Sequence, residues 1–400
     1  VALLTAAPPD GAGARDVLRA LRRAVEGPGP AVLLGADEPV AVPPGTAAVV
    51  TTSGSTGYPK SVLLSRSALT SGAFATRARI GEGAWLLALP ATYVAGLQVL
   101  VRSLMAGHEP AVLEGRFTPE SFAATTRLMA SSRGGHRIPT YTSLVPTQLV
   151  RLLDAAEQPG GGAVRDALGS FEAVLIGGQA LPEPVAARAA ALGARIVRTY
   201  GASETSGGCV YDGVPLDGVR VRIEEGEVQL AGPVLSDGYL SDPDRTATVF
   251  VRDAGGTRWY RTGDGGEILA DGRLRVTGRL DNVIVSGGVN VSLDRVERVV
   301  RGLPGFAEAV VVGVPDPQWG EGSVVVVAGA PADSAVRGDG GGDELADIRA
   351  AVGDELGTAA RPVRLLRLDA MPVLSSGKPD RMALRRLVDG SSTAPDPRRA

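Results

Sequence analysis

The sequence predicts an α/β protein with a large N-terminal domain and a smaller α+β C-terminal domain. Three observations carry this. Short apolar strands alternate with helical stretches to about residue 280, the rhythm turns to strand-and-turn near Leu216, and a fresh pattern restarts after Asp281. Four hundred residues also exceed one small core and suit two or three layered domains.

Residues 14–25, ARDVLRALRRAV, set Val17, Leu18 and Leu21 on one side of a helix. Residues 46–52 (TAAVVTT) and 61–65 (SVLLS) read as strands flanking a polar loop. Strands then recur at 85–89, 142–145, 173–176 and 195–198 with helices between them, the pattern of a substantially parallel sheet. VRVRIEEGEVQLAG and WYRTGDGGEILADGRLRVTGR predict a small β-subdomain on the large domain. Beyond it, a helix over 293–301, strands over 307–314 and 323–328, a helix over 344–355 and a strand over 363–368 complete the α+β unit. The expected domains are 1–280 and 281–400. Residues 330–344, APADSAVRGDGGGDE, read as a loose surface loop, and the tail after Asp389 is expected to be disordered.

Composition removes several classes. With 44% apolar and 21% charged residues, and glycine and proline that follow no period, the chain is neither collagen-like nor wholly disordered. A net charge of −3 without a long basic block gives no nucleic-acid or anionic-membrane surface. The apolar runs are too short to span a bilayer, and VALLTAAPPDG lacks the basic and apolar regions of a secretory leader. Cys209 alone excludes an internal disulfide, and His108 and His136 leave little for a zinc site. A reducing, cytoplasmic setting is expected.

Only two of the 41 basic residues, Lys60 and Lys378, are lysine. Arginine serves elsewhere, so these two point to positions that suit a compact ammonium on a flexible stem. Lys60 closes TTSGSTGYPK, residues 51–60. Hydroxyls, two glycines and a lysine between strands are what a polyphosphate clamp needs. The loop is not a Walker loop, since two residues rather than four separate its glycines. On composition alone a polar hairpin loop fits as well.

TSGSTGYPK resembles the phosphate loop of the adenylate-forming superfamily of acyl-CoA synthetases, luciferases and peptide-synthetase adenylation domains. Further signatures follow in that family's order. Gly177-Gly178-Gln179-Ala180-Leu181 resembles its adenine-side turn, and Tyr200-Gly201-Ala202-Ser203-Glu204-Thr205 its YGxTE motif. Tyr260-Arg261-Thr262-Gly263-Asp264 matches YxTGD, Gly278-Arg279-Leu280-Asp281-Asn282 starts the hinge motif, and Ser376-Gly377-Lys378 matches the C-terminal lysine motif. The likeness spans roughly residues 46–387.

The resemblance implies roles. Thr52, Ser53, Gly54, Ser55, Thr56, Gly57 and Lys60 would hold the β- and γ-phosphates of ATP. Gly177, Gly178 and Gln179 would border the adenine and Tyr200 would stack on it, with Gly201 and Ser203 in the same nucleotide-side motif. Glu204, with Thr205 beside it, would orient Mg²⁺. Asp264 would accept the ribose hydroxyls with Arg279 nearby, and Lys378 would bridge the carboxylate substrate and the α-phosphate. Asp281 would be the hinge of a mobile C-terminal domain that turns Gly287 and Gly288 towards the thiol of coenzyme A. Taken singly, Asp264 also suits a turn aspartate, Lys378 a surface loop, Glu204 a cap partner and Tyr200 a core position.

The segment LPATYVAGL, residues 89–97, carries no acid to pair with an α-ammonium, so an amino-acid substrate is not expected. Thr92, Tyr93, Gly96, Ser143 and Ala202 are the expected pocket residues. VAGLQVLVRSL, TSLVPTQLVRLL, GGCVYDGVPLDGV and VLSSGKPDRMALRRL resemble the o-succinylbenzoate–CoA ligase subgroup of menaquinone biosynthesis in actinobacteria. That likeness implies a second substrate carboxylate, with Ser143, Gln148 and Arg198 as candidate donors. Departures cluster at the pocket: Thr92 and Tyr93 replace histidines, Ala202 a bulky residue, Ser206 a cysteine, and Asn282 the second hinge aspartate. The expected enzyme is a free-standing acid–thiol ligase for a small carboxylic acid, ATP and coenzyme A. No nucleic-acid or membrane partner is expected, and a homodimer is compatible with the resemblance. Two alternatives stay open: an adenylating enzyme of secondary metabolism with another acceptor, and a catalytically silent nucleotide-binding protein. Intact Lys60, Glu204, Asp264 and Lys378 stand against the second.

Overall fold

The computed structural model describes residues 2–3, 13–35, 40–52, 59–129, 132–329, 342–374 and 378–391. The chain forms two compact units, one of Val1–Leu181, Ala186–Thr262 and Glu267–Arg275, the other of Pro182–Val185, Gly263–Gly266 and Val276–Ala400.

In the first unit, helix α1 (Ala14–Glu26) buries Val17, Leu18, Leu21, Ala24 and Val25, a stripe at helical spacing. Strands β1 (Val32–Leu34), β2 (Thr46–Thr52) and β3 (Lys60–Ser65) follow, with β2 and β3 antiparallel and Thr52 opposite Lys60. Helix α2 (Arg66–Ile80) starts where Ser65 accepts the Ala68 N–H. Next come β4 (Ala84–Leu87), α3 (Val94–Ala106), β5 (Ala111–Val112), β6 (Thr140–Leu144), α4 (Pro146–Glu157), β7 (Ala173–Ile176), β8 (Ile196–Ala202), β9 (Gly207–Tyr211) and β10 (Val214–Pro215). The seven strands form one sheet in the order β10-β9-β8-β7-β6-β4-β5. Its middle is parallel, and every residue of β6 is buried, as suits a strand covered on both faces.

The strand-and-turn region gives β11 (Arg220–Glu224), β12 (Glu227–Ala231), β13 (Gly238–Tyr239), β14 (Phe250–Arg252) and β15 (Arg258–Ile268). β13 pairs with β3 and sets Tyr239 opposite Val62, two residues from Lys60.

The chain enters the second unit along β16 (Leu274–Arg279). The hairpin β17 (Val283–Ser286) and β18 (Val289–Ser292) turns at Gly287-Gly288, with φ of 57° and 81°. Positive φ at both positions gives the turn whose twist matches a hairpin, and glycine adopts it without strain. Helix α5 (Leu293–Arg301), strands β19 (Val310–Asp316) and β20 (Gly320–Ala328), helix α6 (Gly342–Leu356), strand β21 (Arg364–Leu368) and helix α7 (Arg381–Ser391) complete the unit. The sheet order is β18-β17-β20-β19, with β21 parallel on β20. Val311, Val325 and Val327 pack with Val296 and Val300 of α5 and Ile348 and Val352 of α6. Val310, Val312, Val324 and Val326 pack with Leu384 and Val388 of α7. Alternate residues thus serve two cores, which explains the unbroken valine runs.

Two helix boundaries of the second unit differ from the sequence reading. α6 begins at Gly342, inside the run read as loop, and α7 continues to Ser391, past the start of the expected tail. Residues 330–341 and 392–400 lie outside the described residues. Among the described residues, no helix is long and apolar enough to cross a membrane.

Candidate active site

One cluster belongs to the first unit. Residues 203–205 make a single 3₁₀ turn after β8, which buries Glu204 to 2% side-chain exposure. Lys60, at the start of β3, forms an ion pair with Glu204 Oε1 and is itself only 23% exposed. The Tyr239 hydroxyl donates to the same oxygen at 2.7 Å, and the Lys60 ammonium sits 5.4 Å from the Tyr239 ring centre. Burial pushes the Glu204 carboxyl up, but the Lys60 charge, the bonds from Lys60 and Tyr239 and a backbone bond outweigh it and hold the pKa below the usual range. Burial and the Glu204 charge push the Tyr239 phenol well above its usual value. The Glu204 carboxyl therefore stays ionised at neutral pH, paired with the Lys60 ammonium.

The surrounding turn is fixed by close backbone approach. A Cβ at Gly201 would lie 2.2 Å from the Gly207 carbonyl oxygen, where the β8–β9 register shifts. Thr205 Oγ1 accepts the Ala202 N–H at 2.8 Å and meets the Gly207 carbonyl at 2.8 Å, so its hydroxyl braces the turn. Ser203, Tyr200 and Ala202 are half-buried beside it. Cys209, fully buried on β9, has its thiol pushed up to about 12 by desolvation. At the end of β7, a Cβ on Gly177 would strike Thr199 Oγ1 at 2.5 Å, and Gly178 has φ 82°. Gln179 follows, half-buried.

The expected pocket residues fall into two kinds. Thr92 is exposed and Tyr93 half-buried at the start of α3, while Gly96 is buried, with the Pro90 carbonyl oxygen 2.2 Å from where its Cβ would be. Ser143 is buried on β6 beside Leu175 of β7. Gln148 caps α4: its Oε1 accepts the Val145 N–H at 3.1 Å and its Nε2 donates to the Ala88 carbonyl at 2.9 Å. Both ends of that amide serve the backbone, so Gln148 acts as a brace for the pocket wall. Arg198 is exposed on β8.

The second cluster lies within the other unit. Arg279 spans two carboxylates, with Nη1 3.4 Å from Asp264 Oδ1 and Nε and Nη2 each 2.9 Å from an Asp281 oxygen. This fork holds the Asp281 carboxyl below its usual range. Gly263, with φ 69°, lets the guanidinium lie where a side chain would stand, 2.8 Å from Nη2. Lys378 is exposed as a residue, yet the protein around its ammonium desolvates it and lowers its pKa, an effect the Asp264 charge opposes. Its loop is closed by Leu374 N–H to the Lys378 carbonyl at 2.8 Å and by Asp380 N–H to the Pro372 carbonyl at 2.9 Å. Gly287 and Gly288 form the hairpin turn, with Trp319 where a Gly287 side chain would be.

Ser53, Gly54, Ser55, Thr56 and Gly57, and Ser376 and Gly377, lie outside the described residues. Thr52 and Lys60, which flank the first of these runs, are paired across β2 and β3. Tyr239 was absent from the sequence reading; the β13–β3 pairing and the Ser236 N–H bond to the Glu204 carbonyl at 2.8 Å bring it to Glu204. Glu204 also suits Mg²⁺: it is an ionised oxygen donor, and this hard cation binds through one or two carboxylates plus nucleotide phosphates. Among the described residues no three His, Cys, Asp or Glu side chains gather.

Residues 10–278 match the model of the AMP-binding enzyme family and residues 295–378 that of the AMP-binding enzyme C-terminal domain. A probable 2-succinylbenzoate–CoA ligase of Mycobacterium tuberculosis (strain ATCC 25618 / H37Rv) is 39% identical over 96% of this chain and 98% of its own. The o-succinylbenzoate CoA synthetase of Bacillus subtilis, solved with the acyl-adenylate intermediate, is 25% identical with a TM-score of 0.68, over 88% of this chain and 72% of that one. The amide bond synthetase McbA of Marinactinospora thermotolerans is 29% identical with a TM-score of 0.69, over 91% and 76%.

Proposed function

The chain belongs to the AMP-binding enzyme family, and on that premise we propose that it activates an aryl carboxylic acid as its acyl-adenylate and passes the acyl group to coenzyme A. It is an AMP-forming acid–thiol ligase that uses ATP, and the first substrate to test is 2-succinylbenzoate, in menaquinone biosynthesis. The observation that carries this reading is the Lys60–Glu204 pair, which joins the end of the phosphate loop to the YGASET turn across 144 residues.

The chemistry follows from charge. A carboxylate attacks the α-phosphorus of ATP, the bond to pyrophosphate breaks, and negative charge builds on phosphoryl and leaving oxygens. Cations and N–H donors placed in advance supply most of the rate. In this reading Thr52, residues 53–57 and Lys60 hold the β- and γ-phosphates, and Glu204, with Thr205 bracing its turn, holds Mg²⁺. The ion, when bound, offsets phosphate charge. Tyr200, Gly177, Gly178 and Gln179 border the adenine, with Gly201 and Ser203 shaping the turn. Asp264, steadied by Arg279, takes the ribose hydroxyls, and Lys378 bridges the acid and the α-phosphate. Asp281 is the pivot that brings Gly287 and Gly288 towards the thiol.

Thr92, Tyr93, Gly96, Ser143 and Ala202 frame the acid. A small Ala202 and a non-histidine Thr92-Tyr93 pair support a pocket of altered shape, so other aryl acids belong in the same screen. Carboxylate-dependent ATP–pyrophosphate exchange followed by thioester analysis is the test. Exchange and thioester with 2-succinylbenzoate are expected, and no exchange with any aryl acid overturns the reading. The likeness to an amide bond synthetase favours one alternative, an amine acceptor; amide without thioester would select it. We place the reaction in the cytoplasm, where ATP and coenzyme A are held, without nucleic-acid or membrane partners. Sedimentation velocity checks the homodimer.

A further inference from the structure

We propose that Asp294 and Arg298 form a latch across the Asp281 pivot that favours adenylation over thioester formation, an inference that rests on the functional reading above. Both side chains lie on α5, four residues apart and therefore on one face. Arg298 donates to the carbonyls of Val276 at 3.2 Å and Thr277 at 2.8 Å. Asp294 Oδ2 accepts the Arg279 N–H at 2.6 Å. Gly278, with φ 133°, admits this approach, because a Cβ there would lie 2.5 Å from the Asp294 Cβ. These contacts lie within the second compact unit, which begins at Val276, ahead of Asp281.

The partners sit on opposite sides of the pivot in sequence. Residues 276–279 precede Asp281, whereas Asp294 and Arg298 follow it. A backbone rotation at Asp281 moves everything after it relative to everything before it. The bonds from α5 to Val276, Thr277 and Arg279 must then break, while Asn282 Nδ2 to Asp294 Oδ1, 2.8 Å and wholly beyond the pivot, survives. The same helix braces the lysine loop, since Arg381 lies 2.7 Å from Glu297 and 3.8 Å from Asp294. The latch also holds the backbone of Arg279, whose Nη1 is 3.4 Å from Asp264 Oδ1, so with the latch closed the proposed ribose acceptor stays beside the hinge. Asp294 and Arg298 are positioning residues, since their contacts are to protein rather than to reactants.

The test uses the full chain and the variants Asp294→Ala, Asp294→Asn and Arg298→Ala. Acyl-adenylate formation without coenzyme A, thioester formation from preformed acyl-adenylate, and amide hydrogen exchange over 276–282 are measured. In Asp294→Ala, adenylation slows about tenfold, the weight of one hydrogen bond to a charged group. Thioester formation is unchanged or faster, exchange over 276–282 accelerates, and Asp294→Asn, which keeps one acceptor oxygen, is milder. Arg298→Ala moves the same way, so the test survives if one variant folds poorly. Equal loss in both half-reactions, no loss in either, or unaltered exchange overturns the latch. A wild-type chain that forms no acyl-adenylate fails the functional reading separately, and the exchange data still decide whether the latch exists.

Discussion

Tyr239 and Lys60 meet at one atom, Glu204 Oε1, although the three residues come from three different stretches of chain. The phenol binds the carboxylate from one side while its ring face lies under the ammonium. Replacing Tyr239 with Phe removes one donor from a buried charge. The variant should lose about 1–3 kcal/mol of stability and about tenfold in ATP–pyrophosphate exchange. Thermal unfolding and the exchange assay check this, and unchanged values in both would mean that the hydroxyl is dispensable.

The Lys60–Glu204 pair also sets a pH dependence. Because the Glu204 carboxyl is depressed in the folded chain, its contribution is complete above the usual carboxylate pKa of 4.5 and is lost as pH falls through the lower folded value. Lys60→Leu strands the buried carboxylate and should cost about 3 kcal/mol at neutral pH. Without Lys60, burial raises the Glu204 carboxyl, so the gap between wild type and variant should begin to narrow above the ordinary value of 4.5 and keep narrowing as pH falls through the lower wild-type value. Urea melts at several pH values measure it, and a constant gap would contradict the pairing.

Gly96 is predicted to tolerate no side chain. In Gly96→Ala the new methyl meets the Pro90 carbonyl oxygen at 2.2 Å, so the start of α3 must shift. A loss of about 1–3 kcal/mol in stability is expected, with a raised KM for the acid and a smaller change in KM for ATP. Equal changes in both constants would remove Gly96 from the acid side.

Cys209 is fully buried and its thiol is pushed up to about 12, so native protein at pH 8 should resist iodoacetamide. Labelling should appear only on unfolding, which makes this thiol a counter of open molecules. Fast labelling of native protein would show that β9 opens on its own.

Lys378→Arg keeps the charge but exchanges a compact ammonium for a planar guanidinium. Acyl-adenylate formation should fall by at least about a hundredfold while thioester formation from added acyl-adenylate and the melting temperature stay near wild type. Near-normal adenylation in this variant would remove Lys378 from the bond-forming step.

Much of this was legible from residue order. Helix α5 covers 293–301 as expected, and β7 coincides with the apolar run AVLI. β8, expected to stop near Arg198, runs on to Ala202, because β9 folds back on it and supplies partners that no local propensity reports. Lys60 stood out as one of two lysines closing a loop of glycines and hydroxyls, whereas Glu204 was singled out only through the resemblance of YGASET to a family motif. Tyr239 was invisible, being one apolar-looking residue of a two-residue strand whose place depends on pairing with β3. Gln148 shows the converse. Its amide suggested a ligand donor, but the capping demands of α4 and the Ala88 carbonyl use both ends.

The two valine-rich faces of the C-terminal sheet have a wider meaning. Each is sealed by helices of the same unit, α5 and α6 on one side and α7 on the other. A segment that completes its interior from its own sequence behaves as a cartridge: its lysine travels with a ready-made frame. Such a cartridge is open to exchange between related chains by recombination, since its interior asks nothing of the sequence before it.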